Sequence, residues 1–234
     1  MQLDLMIVVL LKVCWYRVSM SKGGATVFMN AGVRQVMKEL IQIPLATHTI
    51  LVYPNIDALR EIYTNYIDIT SHELSELFVI LPFYETIESV KNNLMYNYES
   101  TQNYDYMKHD GSLIIRDANT ILEKDIKSNT DYVSQAYNEP PNIVDFLKRV
   151  SSHSKKINKD TISLWIDTGV FYNFENGIGS LMKYERAFPK IVANYPIKQF
   201  CLYHQKDYEN RLNKYEQIET VDKHQKRLLM VDKL

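Results

Sequence analysis

From Ile50 onward, short apolar runs alternate with amphipathic stretches. His48-Thr49-Ile50-Leu51-Val52-Tyr53 is strand-like and stops at Pro54. Asp57 then opens a helical pattern, with Leu59, Ile62, Tyr63, Tyr66 and Ile67 three and four positions apart. Leu77-Phe78-Val79-Ile80-Leu81 is unbroken apolar sequence, as in a strand covered on both faces. Residues 86–98 read as helix through Ile87, Val90, Leu94 and Met95, and Leu113-Ile114-Ile115 forms a third strand ending at Arg116-Asp117. Residues 128–142, with Pro140-Pro141, read mostly as loop. A helix over 143–157 follows, then a fourth strand, Thr161-Ile162-Ser163-Leu164-Trp165-Ile166, stopping at Asp167-Thr168-Gly169. Helix returns over 178–194, Gln199-Phe200-Cys201-Leu202-Tyr203 is the fifth strand, and a charged helix runs over 207–224. Residues 227–231 are a candidate closing strand.

Strands separated by helices predict βαβ units: an α/β fold with a mainly parallel central sheet and helices on both faces. The expected organisation is one domain over residues 48–234, of which 207–234 supply a C-terminal helix and a candidate edge strand. Residues 1–47 form an N-terminal extension with a short apolar segment and a helix around 33–41. The apolar run at 5–11 is too short to span a bilayer, which takes about 20 residues. Asp4 before it and Lys12, Trp15 and Arg17 after it do not fit a signal peptide. The run reads as a buried strand, or as upstream sequence ahead of a start at Met20.

Composition narrows the function classes. A hydrophobic share of 46% supports a sizeable core, and a formal net charge of −1 gives no overall basic surface for nucleic acid. Two cysteines, Cys14 and Cys201, make no disulfide framework and point to a reducing, cytoplasmic setting. Only 7 glycines and 7 prolines disfavour Gly-rich phosphate cradles, whereas 17 tyrosines are an excess.

Ligands of open parallel sheets bind outside the carboxyl ends of the strands. Here those ends are Tyr53-Pro54-Asn55, Pro82-Phe83-Tyr84-Glu85, Arg116-Asp117, Asp167-Thr168-Gly169 and Tyr203-His204. Such a polar and aromatic set suits a small-molecule pocket, and equally suits plain solvated strand ends. The first turn, Tyr-Pro-Asn-Ile-Asp, has neither the glycines nor the lysine of a P-loop, and no GxGxxG occurs. Residues 162–167, an apolar strand ending in Asp167, nevertheless have the form of a Walker B segment. No GxSxG elbow marks a serine nucleophile. The six histidines never fall in HxH, HxxxH or HExxH spacing, so no metal site is expected; a pair made by His48 and His204 is a minor alternative. Cys201, inside an apolar strand, reads as an inert buried thiol. The cations between Lys148 and Lys159 read as a solvated helix end, and residues 56–110 carry ten carboxylates against three basic residues, which repels a phosphate backbone.

The order of these landmarks resembles the MEDS family, the methanogen/methylotroph sensory domain of prokaryotic signalling proteins. The likeness spans about residues 48–204. It rests on Thr-His-Thr-Ile-Leu-Val-Tyr-Pro-Asn, Phe-Val-Ile-Leu-Pro-Phe-Tyr-Glu-Thr, the stretch from Asp110 to Asp117, Leu-Trp-Ile-Asp167-Thr-Gly, Tyr184-Glu185 and Cys201-Leu-Tyr203-His204. The resemblance implies a RecA/KaiC-like three-layer sandwich whose phosphate loop has degenerated. It further implies a non-catalytic role in sensing small molecules, with simple hydrocarbon derivatives as the ligand class. His48 matches the family's N-terminal histidine, Asp167 its Walker-B-like acid, Glu185 an acid in the following helix, and Cys201 and Tyr203 its Cys-x-Tyr. No kinase, helix-turn-helix or receiver domain is expected within these residues, which leaves the output route open.

The leading expectation is therefore a sensory domain whose ligand contacts His48, Tyr53, Tyr84, Asp117, Asp167, Glu185, Cys201 and Tyr203. No catalytic residue, metal or cofactor is expected. The signal would pass to a signalling partner in trans or to a second copy of the chain, with no role for nucleic acid or membrane. Two alternatives stand beside it: a ligand-free interaction scaffold with a tyrosine-rich surface, and a residual nucleotide binder resting on Asp167 and Glu185.

Overall fold

The structure, a computed structural model, describes residues 8–10, 15–18, 27–73, 75–97, 101–127 and 142–231. The expected loop over 128–142 lies outside the described residues up to 141, as does Cys14. The elements follow in chain order as β1 (Val8–Leu10), β2 (Trp15–Val18), β3 (Val27–Asn30), α1 (Ala31–Ile41), β4 (Thr47–Tyr53) and α2 (Ile56–Glu73). Next come β5 (Glu76–Leu81), α3 (Ile87–Asn97), α4 (Thr101–His109), β6 (Leu113–Ile115), α5 (Ala118–Lys127) and α6 (Asn142–Lys156). After β7 (Thr161–Asp167) and a 3₁₀ segment (Thr168–Asn173), the chain runs through α7 (Gly177–Val192), β8 (Ile197–His204), α8 (Gln205–Arg211), α9 (Lys214–Lys223) and β9 (Lys226–Val231).

Seven strands form one parallel sheet in the order β1-β9-β4-β8-β7-β5-β6, while β2 and β3 pair antiparallel. The inner strands are buried along almost their whole length, because helices cover both faces of a parallel sheet. Period-two alternation then sends neighbouring residues into different layers. Ile50 and Val52 of β4 and Cys201 and Tyr203 of β8 face the layer of α5, α6 and α7, with Leu122, Phe146, Leu147, Leu181 and Phe188. Leu51 and Tyr53, with Phe200 and Leu202, face the layer of α1, α2, α3 and α4, with Leu40, Ile62, Tyr66, Leu94 and Met107. This is the parallel sheet with helices on both faces that the pattern predicts, and the three-layer, RecA-like sandwich that the resemblance implies. Strand β8 is inserted between the first long strand, β4, and the acid-ended strand β7.

Two expectations change. The helix over 207–224 is two helices, because Leu212 adopts an extended conformation and is buried, and Asn213 starts α9 with a capping box closed by Glu216. Strand β9 is no edge strand: it lies between β1 and β4, paired from Thr49↔Lys226 to Val52↔Leu229. Among the described residues, no helix is long and apolar enough to cross a membrane.

Candidate functional site

Two polar clusters sit in different layers, and a third closes the amino end of the sheet. The first is at the carboxyl ends. Asp167, the last residue of β7, turns inward and is 2% exposed. Gly169 donates its backbone N–H to Oδ1 at 3.0 Å, which makes Asp167 the cap of the 3₁₀ segment. Tyr84 N–H and the Tyr53 hydroxyl reach Oδ2 at 3.3 and 3.4 Å. Burial pushes the Asp167 carboxyl up to about 7 even against these hydrogen bonds, and burial beside Asp167 drives the Tyr53 phenol far above its ordinary value. The loop after β5 lies directly on Gly169: a Cβ there would come within 2.4 Å of the Tyr84 ring and 2.6 Å of the Phe83 ring. Tyr84 also donates its hydroxyl to Asp207 of α8, and the His204 ring stands 5.4 Å from both Tyr53 and Tyr84.

Beside this cluster a cleft of about 510 Å³ opens at the ends of β5 and β6, bordered by Phe83, Tyr84, Glu85, Glu88, Lys91 and Asp117. Glu85 holds Arg60 at 2.7 Å, Glu88 holds Lys91 at 3.5 Å, and Asp117 accepts the Asn119 N–H at 2.7 Å. Three carboxylates against the Lys91 ammonium and the Arg60 guanidinium leave the border with a net charge of minus one. The turn where a phosphate loop would lie is filled by its own side chains. Asn55 Oδ1 accepts the Ala58 N–H at 3.0 Å, and Asp57 occupies the first turn of α2.

The second cluster is in the opposite layer, near the amino end of β4. His48, Glu185 of α7, Cys201 of β8 and His224, the C-cap of α9, are all buried, and one donor atom from each lies within 4.8 Å of all the others. His48 Nε2 is 3.1 Å from Cys201 Sγ and 3.3 Å from Glu185 Oε2, and His224 Nε2 is 3.3 Å from the same carboxylate oxygen. The two imidazoles stack at 3.9 Å. Surrounding groups orient the four. Tyr203 donates to Glu185 Oε1, Gln199 Nε2 donates to Cys201 Sγ at 3.2 Å and to the Tyr184 hydroxyl at 2.8 Å, and His224 Nδ1 donates to the Thr220 carbonyl at 2.6 Å. Burial lowers both histidines, His224 to about 4, and raises the Glu185 carboxyl to about 8 and the Cys201 thiol well above its usual range. One backbone and one side-chain hydrogen bond of Gln225 fasten the junction after α9 to β4. His48 N–H donates to Gln225 Oε1 at 3.0 Å, and Gln225 N–H donates to the His48 carbonyl at 2.9 Å.

The third cluster is structural in form. Glu76 is 2% exposed and receives Lys198 Nζ at 2.5 Å, the Ser163 hydroxyl at 2.5 Å and the Tyr66 hydroxyl at 3.1 Å.

The eight residues singled out in the sequence therefore do not converge on one ligand. Tyr53, Tyr84 and Asp167 meet at the carboxyl ends, with Asp117 across the cleft from Tyr84. His48, Glu185, Cys201 and Tyr203 meet in the other layer. His48 and Tyr53 are five residues apart on β4, about 16 Å along the strand, and point to opposite faces. His48 is thus not at a carboxyl strand end, and no single small molecule touches all eight. His204 is not its partner; it belongs to the Tyr53–Tyr84 group. The partner is His224, which no local spacing betrays, since the four donors come from four separate elements.

No protein-family model matches the chain, and no curated protein matches it.

Proposed function

We propose that this protein is a non-catalytic sensory domain of MEDS type. A small neutral or cationic metabolite would enter the cleft at the carboxyl ends of β5 and β6, and the event would pass on through protein contacts of the C-terminal helices. The observation that carries this reading is the position of Tyr84, which lines the cleft and also holds Asp207 of α8. A ligand that moves its ring changes how α8 is held. Differential affinity for the two positions sets the size of the response, and a tenfold bias takes about 1.4 kcal/mol. The receiving partner is a signalling protein in trans or a second copy; α9 offers it Tyr215 and Ile218, 87% and 50% exposed.

The acidic border of the cleft favours an uncharged polar molecule or an amine over a phosphate. Asp167, spent on capping its own 3₁₀ segment, and the self-capped start of α2 support the non-catalytic reading over a residual nucleotide site. A thermal-shift screen of small alcohols, amides, amines and hydrocarbon derivatives, followed by calorimetry, tests the proposal. It should find stabilising compounds whose affinity falls about tenfold or more in Asp117→Ala, the loss of one charged hydrogen-bond partner. A screen without such a compound, or saturable binding of ATP or GTP with Mg²⁺ instead, overturns it.

A further inference from the structure

We infer that His48, Glu185, Cys201 and His224 form a buried four-coordinate site for a divalent late first-row metal ion, of which Zn²⁺ is the best match. The site shares no residue with the cleft and does not depend on the sensory reading.

Geometry and proton bookkeeping point the same way. With Zn–N and Zn–O bonds near 2.0–2.1 Å and Zn–S near 2.3 Å, a tetrahedral ion spaces its donors about 3.3–3.6 Å apart. The two histidine-to-Glu185 spacings, 3.3 Å each, are of that size, the His48–Cys201 spacing of 3.1 Å is shorter, and all four donors lie within 4.8 Å of one another. A carbonyl only accepts, so the bond from His224 to Thr220 places the ring proton on Nδ1 and leaves a bare lone pair on Nε2. That lone pair faces Glu185 Oε2; neither atom has a hydrogen-bond partner of good geometry, and His48 Nε2 stands 3.3 Å from the same oxygen. Two unpartnered acceptors 3.3 Å apart in a sealed interior repel each other unless a cation or a shared proton joins them. Two imidazoles, a carboxylate and a thiol are a donor set that zinc accepts, whereas magnesium and calcium take oxygen ligands. Thr220 behind His224, Tyr203 behind Glu185 and Gln199 behind Cys201 are the outer hydrogen bonds that orient metal ligands.

Loading would be a proton exchange. The ion enters, the Cys201 thiol releases its proton to solvent, Glu185 binds as its carboxylate, and both histidines bind as neutral imidazoles. Engaging both rings would open their 3.9 Å stack and so shift the end of α9 against β4.

The test uses the full chain refolded from urea, with a phosphine reductant and one equivalent of Co²⁺, so that access to the sealed interior is not limiting. The expected result is one Co²⁺ per chain, with a thiolate-to-cobalt charge-transfer band and tetrahedral d–d absorption. Zn²⁺ should bleach both, and uptake should release at least about one proton per ion, from the thiol. Cys201→Ser should lose the charge-transfer band. His224→Ala should bind at least about 100-fold more weakly, while His109→Ala binds normally. Refolded wild-type protein that takes up no Co²⁺, or takes it up without thiolate absorption, overturns the site. Both of those outcomes are read on the wild-type chain and need no variant to fold.

Discussion

Burying a carboxylate costs several kcal/mol unless donors meet it, and the tyrosines of this chain supply many of those donors. Tyr53 serves Asp167, Tyr66 serves Glu76 and Tyr203 serves Glu185. The excess of tyrosine thus has a use that composition alone does not reveal: several of these residues are core side chains with a polar tip aimed at an acid. Asp167 is the member with a testable pH signature. The groups facing it are Tyr53, Tyr84 and Tyr172, with Asp207 and Glu85 near those tyrosines. Its folded-state value of about 7 lies above the ordinary 3.8, so the folded chain holds this proton more tightly. The contribution is fully present below the ordinary value and is lost as pH rises through about 7. Urea unfolding should show Asp167 removing about 2–3 kcal/mol between pH 5 and pH 8, a difference missing from Asp167→Asn. The Glu76–Lys198 pair predicts a different pattern. Lys198→Met should destabilise by about 3–5 kcal/mol, because it strands a buried carboxylate, and adding Glu76→Leu should restore most of the loss. Chemical denaturation of the three proteins checks this.

At the scale of elements, periodicity locates most of what the chain builds. The strands at 47–53, 76–81, 161–167 and 197–204 are legible because a parallel sheet covered on both faces demands unbroken apolar runs. The break between α8 and α9 is less legible. A charged stretch gives little hydrophobic period, and the decisive signals are one buried leucine and one capping asparagine. Helix α8 is short and has no buried residue; Tyr208, packed on Tyr203 and bonded to Gln217, and the bond from Tyr84 to Asp207 hold it in place. Tyr84→Phe removes that bond and keeps the ring. Hydrogen exchange should then accelerate in residues 205–211 by about tenfold, with the strands unchanged, since one charge-assisted hydrogen bond contributes about 1.5 kcal/mol or more. Equal protection in the two proteins would show that α8 is held by other means.

Across the whole molecule, the class of fold follows from the alternation of elements, but the grouping of candidate residues does not. Carboxyl strand ends can be read in order along the chain, so Tyr53, Tyr84 and Asp167 are found together. His48 and His224 are separated by almost the whole domain, and only strand β9, returning beside β4, brings the end of α9 over the start of β4. Layer membership is likewise hidden until the sheet is built, because it depends on which parity of each strand faces which helices. Strand β4 makes this concrete. Its His48 serves one polar cluster and its Tyr53 the other, and the odd spacing between them places the two clusters on opposite sides of the sheet. Gain or loss of one codon between these positions would turn one of the two groups to the wrong side and dissolve its cluster. Those few residues can therefore change in identity over evolution but not in number, whereas the surface turns of the domain are free to vary in both.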